Sequence, residues 1–117
     1  MTKIATDPLI RFTDIGGVSE LLCPRCSSRH LHQASVVLYD RAEDAASLLK
    51  VEVGGSNVTT SLAPSIGSGN PSNRRHGLVI RFLCEGCRGG EGDETLELTL
   101  AQHKGATEVV WRFTPRP

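Results

Sequence analysis

The hydrophobic positions of this chain recur mostly at every second residue, the spacing of half-buried β-strands rather than of helices. The cleanest run is "TLELTLAQH", where Leu96, Leu98 and Leu100 alternate with Glu97 and Thr99. "LVIRFLC" sends Leu78, Ile80 and Phe82 to one side, and "ATEVVWRF" does the same with Thr107, Val109, Trp111 and Phe113. "LKVEV" and "VTTSL" flank the turn signal "GGSN" and read as a hairpin with Val51 and Val53 on one face. Val36, Val37, Leu38 and Tyr39 have the β-branched, aliphatic or aromatic character that strands favour. Only "AEDAASLL" has helix-favouring composition; it is too short for more than about two turns and reads as helix or loop. The pattern predicts an all-β protein of about five or six short strands, antiparallel because its connections are short.

The punctuation divides the chain. Pro8 and the Gly16–Gly17 pair mark residues 1–19 as an amino-terminal arm, with a short strand expected around Leu9 to Phe12. Residues 20–114 read as one β domain and 115–117 as coil. "APSIGSGNPSNRRHG" gathers Gly, Pro, Ser and Asn into a long loop, a kind that is usually functional or mobile. "GGEGDE" and Lys104–Gly105 read as turns.

Composition narrows the function classes. A chain of 117 residues supports one modest core, built from small aliphatics because it has three Phe, one Trp, one Tyr and one Met. Lys+Arg and Asp+Glu balance at 13 each, so net charge alone points to neither nucleic acid nor membrane. No apolar run approaches the ~18 residues of a membrane span. "MTKIATDPLIRFTD" lacks the apolar core of a secretory signal, so the reducing cytoplasm is the expected compartment, where structural disulfides are disfavoured.

The chemistry lies in the four cysteines. Cys23 and Cys26 form "CPRC", Cys84 and Cys87 form "CEGC", and these are all the cysteines of the chain. Four thiolates are the preferred ligand set of a closed tetrahedral zinc site, and a C-x2-C turn presents two sulfurs to one ion. Pro24 presets φ in the first turn, and Gly86 is expected to supply a positive φ in the second. A thioredoxin-type redox pair would want a helix after the first cysteine, whereas "SSRHLHQASVV" looks like strand. A pair of local disulfides is disfavoured by the compartment. One structural zinc ion is therefore expected, in a zinc-ribbon-like antiparallel sheet with a long strand-bearing insertion between the two knuckles. With every coordination position filled by cysteine, the ion would support the fold rather than catalyse. His30 and His32 lie near the first pair but read as strand residues with one wet face; His103 reads as exposed.

Arginine provides a second candidate feature. Arg25, Arg29 and Arg88 lie on or beside the knuckles, and Arg74, Arg75 and His76 lie in the long loop. Gathered at one end, they would make a phosphate-binding surface. The competing reading is local pairing, with Asp40, Glu43 and Asp44 as partners for Arg74 or Arg75. The few aromatic residues argue against a base-stacking platform.

"CPRC", "YDRAEDA", "NPSNRRHGLVIRFLCEGC" and "LAQHKGATEVVW" together resemble a family of small uncharacterised bacterial and phage-associated zinc-ribbon-like proteins. The resemblance spans about Leu22 to Trp111. It implies a zinc-ribbon-like fold and carries no activity. It marks Asp44, Asn70, Arg74, Arg75, Gln102, His103 and Lys104 as positions of interest. The chain departs from the pattern at Ser27, where a Gly often follows the knuckle.

The expected function is a non-enzymatic, zinc-stabilised β module that binds nucleic acid or a protein complex through its arginines. One alternative is an enzyme gathering His76, His103, Asp44 and Arg75 in a cleft. The other is a redox-sensitive zinc switch, in which thiolate oxidation expels the metal.

Overall fold

The structure is a computed structural model describing residues 5–87 and 94–115. Among these residues the chain forms strands β1 (Ala5–Asp7), β2 (Phe12–Ile15), β3 (Val18–Leu21), β4 (Leu31–Asp40), β5 (Ser47–Gly54), β6 (Asn57–Pro64), β7 (Gly77–Cys84), β8 (Glu94–His103) and β9 (Ala106–Pro115), and no helix. The protein is all-β and antiparallel: a seven-stranded sheet in the order β1-β9-β8-β7-β4-β5-β6 and a two-stranded β2-β3 hairpin.

The alternating segments form the strands they predict, and the differences have local causes. "AEDAASLL" is not helical: Asp44 takes φ 57, Ala45 N–H closes a turn on the Ala42 carbonyl, and β5 opens at Ser47. The amino-terminal segment is more ordered than an arm. β1 joins the sheet through Ala5 opposite Phe113, and β2 and β3 form a hairpin around Gly16 and Gly17, at φ 61 and 82. That hairpin crosses the boundary drawn at residue 19, and the strand expected at Leu9–Phe12 is replaced by β1 and β2 on either side of it. Arg88 and most of the "GGEGDE" turn lie outside the described residues.

Register places side chains on two faces. On one, Leu78, Ile80 and Phe82 of β7 lie beside Leu96, Leu98 and Leu100 of β8, which lie beside Phe113, Trp111 and Val109 of β9. Near the cysteine end this face is closed by Ile10 and Leu21, forming a cluster around Trp111, Phe82 and Phe113; the Phe82 and Trp111 rings meet edge-on at 5.9 Å. Toward β6 the same face is open, with Leu38, Leu49, Val53, Val58 and Leu62 exposed.

The opposite face buries more than its sequence suggests. Val37, Tyr39, Leu48 and Val79 form its core, and Thr99 and Glu97, the polar positions of the cleanest alternation, are only 1% and 2% exposed. Two features cover them. The 65–76 loop crosses this face, accepting hydrogen bonds from Lys50 Nζ at the Ser68 carbonyl and from Arg112 Nη1 at the Gly69 carbonyl. Glu97 is held by Arg81 (3.0 Å) on β7 and Arg112 (2.8 Å) on β9, its cross-strand neighbours, while Arg81 also reaches Glu52 (2.8 Å). A carboxylate can be buried at such a position because two guanidinium groups replace its water.

Candidate metal centre

The sheet order brings the two cysteine pairs together. β4 and β7 are direct neighbours, with Leu31 opposite Cys84, and Glu85 N–H donates to the His30 carbonyl. The first knuckle therefore ends where β4 begins, and the second begins where β7 ends. Everything between them forms β4, β5, β6, the long loop and β7. The long gap between the pairs is thus a folded sheet insertion that returns the chain to its starting point.

The four Sγ atoms lie within 4.8 Å of one another. Cys23 and Cys87 are 3.7 Å apart, and Cys26 and Cys84 are 3.5 Å apart. A tetrahedral ion with metal–sulfur bonds of about 2.3 Å places its sulfurs about 3.8 Å apart. The cysteines could hold one metal ion. All four are free thiols, which does not match paired disulfides.

The first knuckle is shaped by its backbone. Ser27 N–H donates to the Cys23 carbonyl (2.9 Å), Cys23 N–H donates to the Ser28 carbonyl (2.8 Å), and Arg25 N–H donates to Cys23 Sγ (3.4 Å). That last contact offsets thiolate charge from outside the ligand set. Ser27, standing where glycine is common, adopts φ 64, the left-handed conformation that glycine would take without strain. Gly86 has a different role from the expected positive φ, for it is not among the residues with one. A Cβ added there would lie 2.7 Å from Cys26 Sγ and 2.8 Å from Ser28 Cβ. Glycine at 86 lets the knuckles interlock. Gly86→Ala should push Cys26 off position and weaken metal binding at least about tenfold while leaving the sheet intact, as measured by competition with a chromophoric chelator and by circular dichroism.

Crowding sets the protonation of the thiols. For Cys84 and Cys87, burial pushes the thiol upward, and hydrogen bonds that these thiols donate to Cys26 and Cys23 add to the rise. For Cys26, burial acts upward but is outweighed by the Ser28 backbone N–H and the neighbouring thiols, which hold it below the ordinary thiol range. The metal-free cluster holds protons that a bound cation would displace.

The other sequence candidates divide into two groups at opposite ends of the sheet. Arg25 and Arg29 stay with the knuckles. Arg25 lies over the Phe113 ring at 4.3 Å, and Arg29 pairs with Glu20 at 3.0 Å. His32 pairs with Glu85, joining β4 to the second knuckle rather than acting as a ligand, and His30 is exposed. Arg74, Arg75 and His76 sit before the first residue of β7, a full strand away from Cys84 at its last. The arginines are not brought to one end. Arg74 instead pairs with Glu43 (2.9 Å) and Asp44 (3.1 Å), Arg75 with Glu43 (3.4 Å), and His76 with Asp40 (3.3 Å). The hydrogen bond from Arg74 holds the Asp44 carboxyl below its usual range. Local pairing, one of the two readings of the loop, is what the geometry contains. Lys104, at φ 50, is exposed in the β8–β9 turn.

Several remaining positions of interest meet at this far end for reasons of geometry. Asn70 Oδ1 accepts from Ser72 N–H (3.0 Å) while its Nδ2 donates to the Arg75 carbonyl (2.8 Å), an Asx turn extended into a loop clamp. Ser72 was not singled out from the sequence, yet its hydroxyl accepts from the N–H groups of Arg74 and Arg75 and donates to the Gln102 carbonyl. The signal for it is the Asn-Pro-Ser turn chemistry itself. Gly77 completes the clamp, since a Cβ there would lie 2.1 Å from Asn70 Oδ1. Beside it, a groove of about 460 Å³ is lined by Leu38, Leu78, Leu100, Asp40, His76 and Gln102, among others. Of the four residues the enzyme alternative would gather, this groove takes His76 and leaves out His103, Asp44 and Arg75.

No protein-family model, curated protein or solved structure matches the chain. No helix among the described residues is long and apolar enough to cross a membrane.

Proposed function

We propose that the protein is a non-enzymatic, zinc-ribbon-like β module, stabilised by one structural zinc ion and working as a macromolecular binding unit in a reducing compartment such as the cytoplasm. The observation that carries this reading is the set of four free thiols within 4.8 Å, of which two sulfur–sulfur distances, 3.7 and 3.5 Å, match a tetrahedral site. Thiolate ligands favour zinc among the common divalent ions. A four-sulfur set leaves no open position for substrate, which supports a structural role.

Of the two partner classes, a protein is favoured over nucleic acid. Arg29, Arg74 and Arg75 each face a carboxylate, so a phosphate would have to displace one. Elemental analysis of protein purified without chelator should find one zinc per chain; less than about half an equivalent would count against a site with four ligands per ion. Affinity for single- and double-stranded nucleic acid, compared between the native chain and Arg74→Ala/Arg75→Ala, tests the partner. A tight, salt-dependent complex weakened by the substitutions would favour nucleic acid instead.

A further inference from the structure

Among the described residues, strand β6 is one margin of the seven-stranded sheet. An edge strand carries a row of unpaired backbone N–H and C=O groups, and monomeric proteins commonly blunt it with charge, a bulge, proline or shortness. The other margin is blunted by charge, since β1 carries Asp7. β6 is eight residues long, "NVTTSLAP", with no charged side chain and its single proline at the last position. Its pairing with β5 runs without a register shift from Gly54–Asn57 to Ser47–Pro64. Val58 and Leu62 stand on the apolar face at 67% and 81% exposure.

The backbone direction at this edge can be worked out from the turn. Gly55 and Ser56, at φ 58 and 65, form a two-residue hairpin loop flanked by the Gly54–Asn57 pair. In such a hairpin the flanking pair is hydrogen bonded, and bonded pairs then alternate along the ladder. Asn57, Thr59, Ser61 and Ala63 therefore turn their amides toward β5. Val58, Thr60 and Leu62 turn theirs outward.

We infer that β6 pairs antiparallel with β6 of a second copy of this chain, about a two-fold axis through Thr60. That register is self-complementary. Thr60 meets Thr60 of the other copy, and Val58 meets the other copy's Leu62 on the same face, so the two most exposed aliphatic residues of the strand cover each other. All three outward-facing residues lie in bonded pairs, giving about six interchain hydrogen bonds. On the opposite face Thr59 meets Ser61, a hydroxyl pairing that sheets favour. No like charges are opposed, because the strand has none. The contact area is that of one strand pair, well under the ~1,600 Å² of a standard interface, so the dimer is a reversible one. It involves neither the cysteines nor the arginines, and stands or falls separately from the zinc reading.

Sedimentation equilibrium of the native, metal-loaded chain from about 10 µM to 1 mM tests it. The expected result is a concentration-dependent monomer–dimer equilibrium. Thr60→Lys, which opposes two ammonium groups at the axis, should weaken it at least about tenfold without changing Tm or metal content. The register has its own test. Val58→Lys/Leu62→Glu, which places each lysine opposite a glutamate, should dimerise, and Val58→Lys/Leu62→Lys should not. A native chain that stays monomeric throughout overturns the proposal and leaves the edge to an extended segment of another protein. A dimer indifferent to Thr60→Lys, or equal behaviour of the two double variants, overturns it as well.

Discussion

Removing the metal, or one ligand, should unfold most of the domain. Cys23→Ser is the sharpest version, because Cys23 is fully buried and lies 3.7 Å from Cys87. Structural zinc contributes on the order of 10–16 kcal/mol of apparent binding energy in small finger peptides, against a total stability of about 5–15 kcal/mol for an ordinary domain. Loss of the ion thus removes a term as large as the whole margin. The damage should begin at the junction of β4 and β7, where the knuckles close the long insertion, and spread to the cluster around Trp111, since Arg25 of the first knuckle lies over Phe113. Strong chelation of the native chain, followed by Trp fluorescence and Tm, should reproduce the Cys23→Ser result; an unchanged Tm in both would show that the thiols carry no stabilising ion.

The pH dependence of the same experiment has a definite sign. Binding requires all four thiols to lose their protons, so metal affinity rises with pH and acid releases the ion. The residual folded fraction of metal-free chain behaves oppositely. Burial raises the Cys84 and Cys87 thiols above their unfolded value, so their contribution is complete below the ordinary thiol range and is lost as pH rises through it. Whatever fraction of metal-free chain stays folded should shrink further on going alkaline, while the metal-loaded form holds.

The second large effect belongs to Glu97. It is 2% exposed and receives charge-assisted hydrogen bonds from Arg81 and Arg112. Deleting it leaves Arg112, largely buried, with no carboxylate among the described residues beyond its bond to the Gly69 carbonyl, while Arg81 keeps Glu52; breaking a buried ionic group in this way costs about 3–5 kcal/mol. Glu97→Ala should therefore lower Tm by on the order of 10–20 °C. The loss is smaller if apolar residues replace the charges together, because no buried charge then remains. Arg74→Ala provides the contrast. Arg74 also makes two carboxylate contacts, but at the exposed end of the sheet, where solvent screens them. It should leave Tm within the scatter of repeat scans. Equal Tm changes for Glu97→Ala and Arg74→Ala would refute burial as the cause.

The faces of β7, β8 and β9 are legible in the sequence because alternation is a local, period-two signal. The four-cysteine site is legible for a related reason: ligand type and C-x2-C spacing are local, even though the pairs are far apart along the chain. The clamp at Asn70, Ser72 and Gly77 was half visible. Its turn chemistry is local, but the partner of Ser72, the Gln102 carbonyl, comes from another strand. The amino-terminal hairpin was missed because its strands are only four residues each and carry mixed polarity, so no periodicity accumulates over them.

By itself the sequence determined an all-β chain, its strand faces, its tight turns and a four-thiol ligand set, all properties of residue type and short-range spacing. The tertiary structure decided what those faces meet. It buried Glu97 and Thr99 while leaving Val58 and Leu62 in solvent, because sheet order, and not alternation, chooses which face the long loop crosses and which strand becomes the edge. It also parted the arginines, setting one pair beside the cysteines and the other at the far end of β7, where carboxylates brought in by the turn before β5 face them. Those distances depend on strand pairings remote in the chain, which no local pattern encodes.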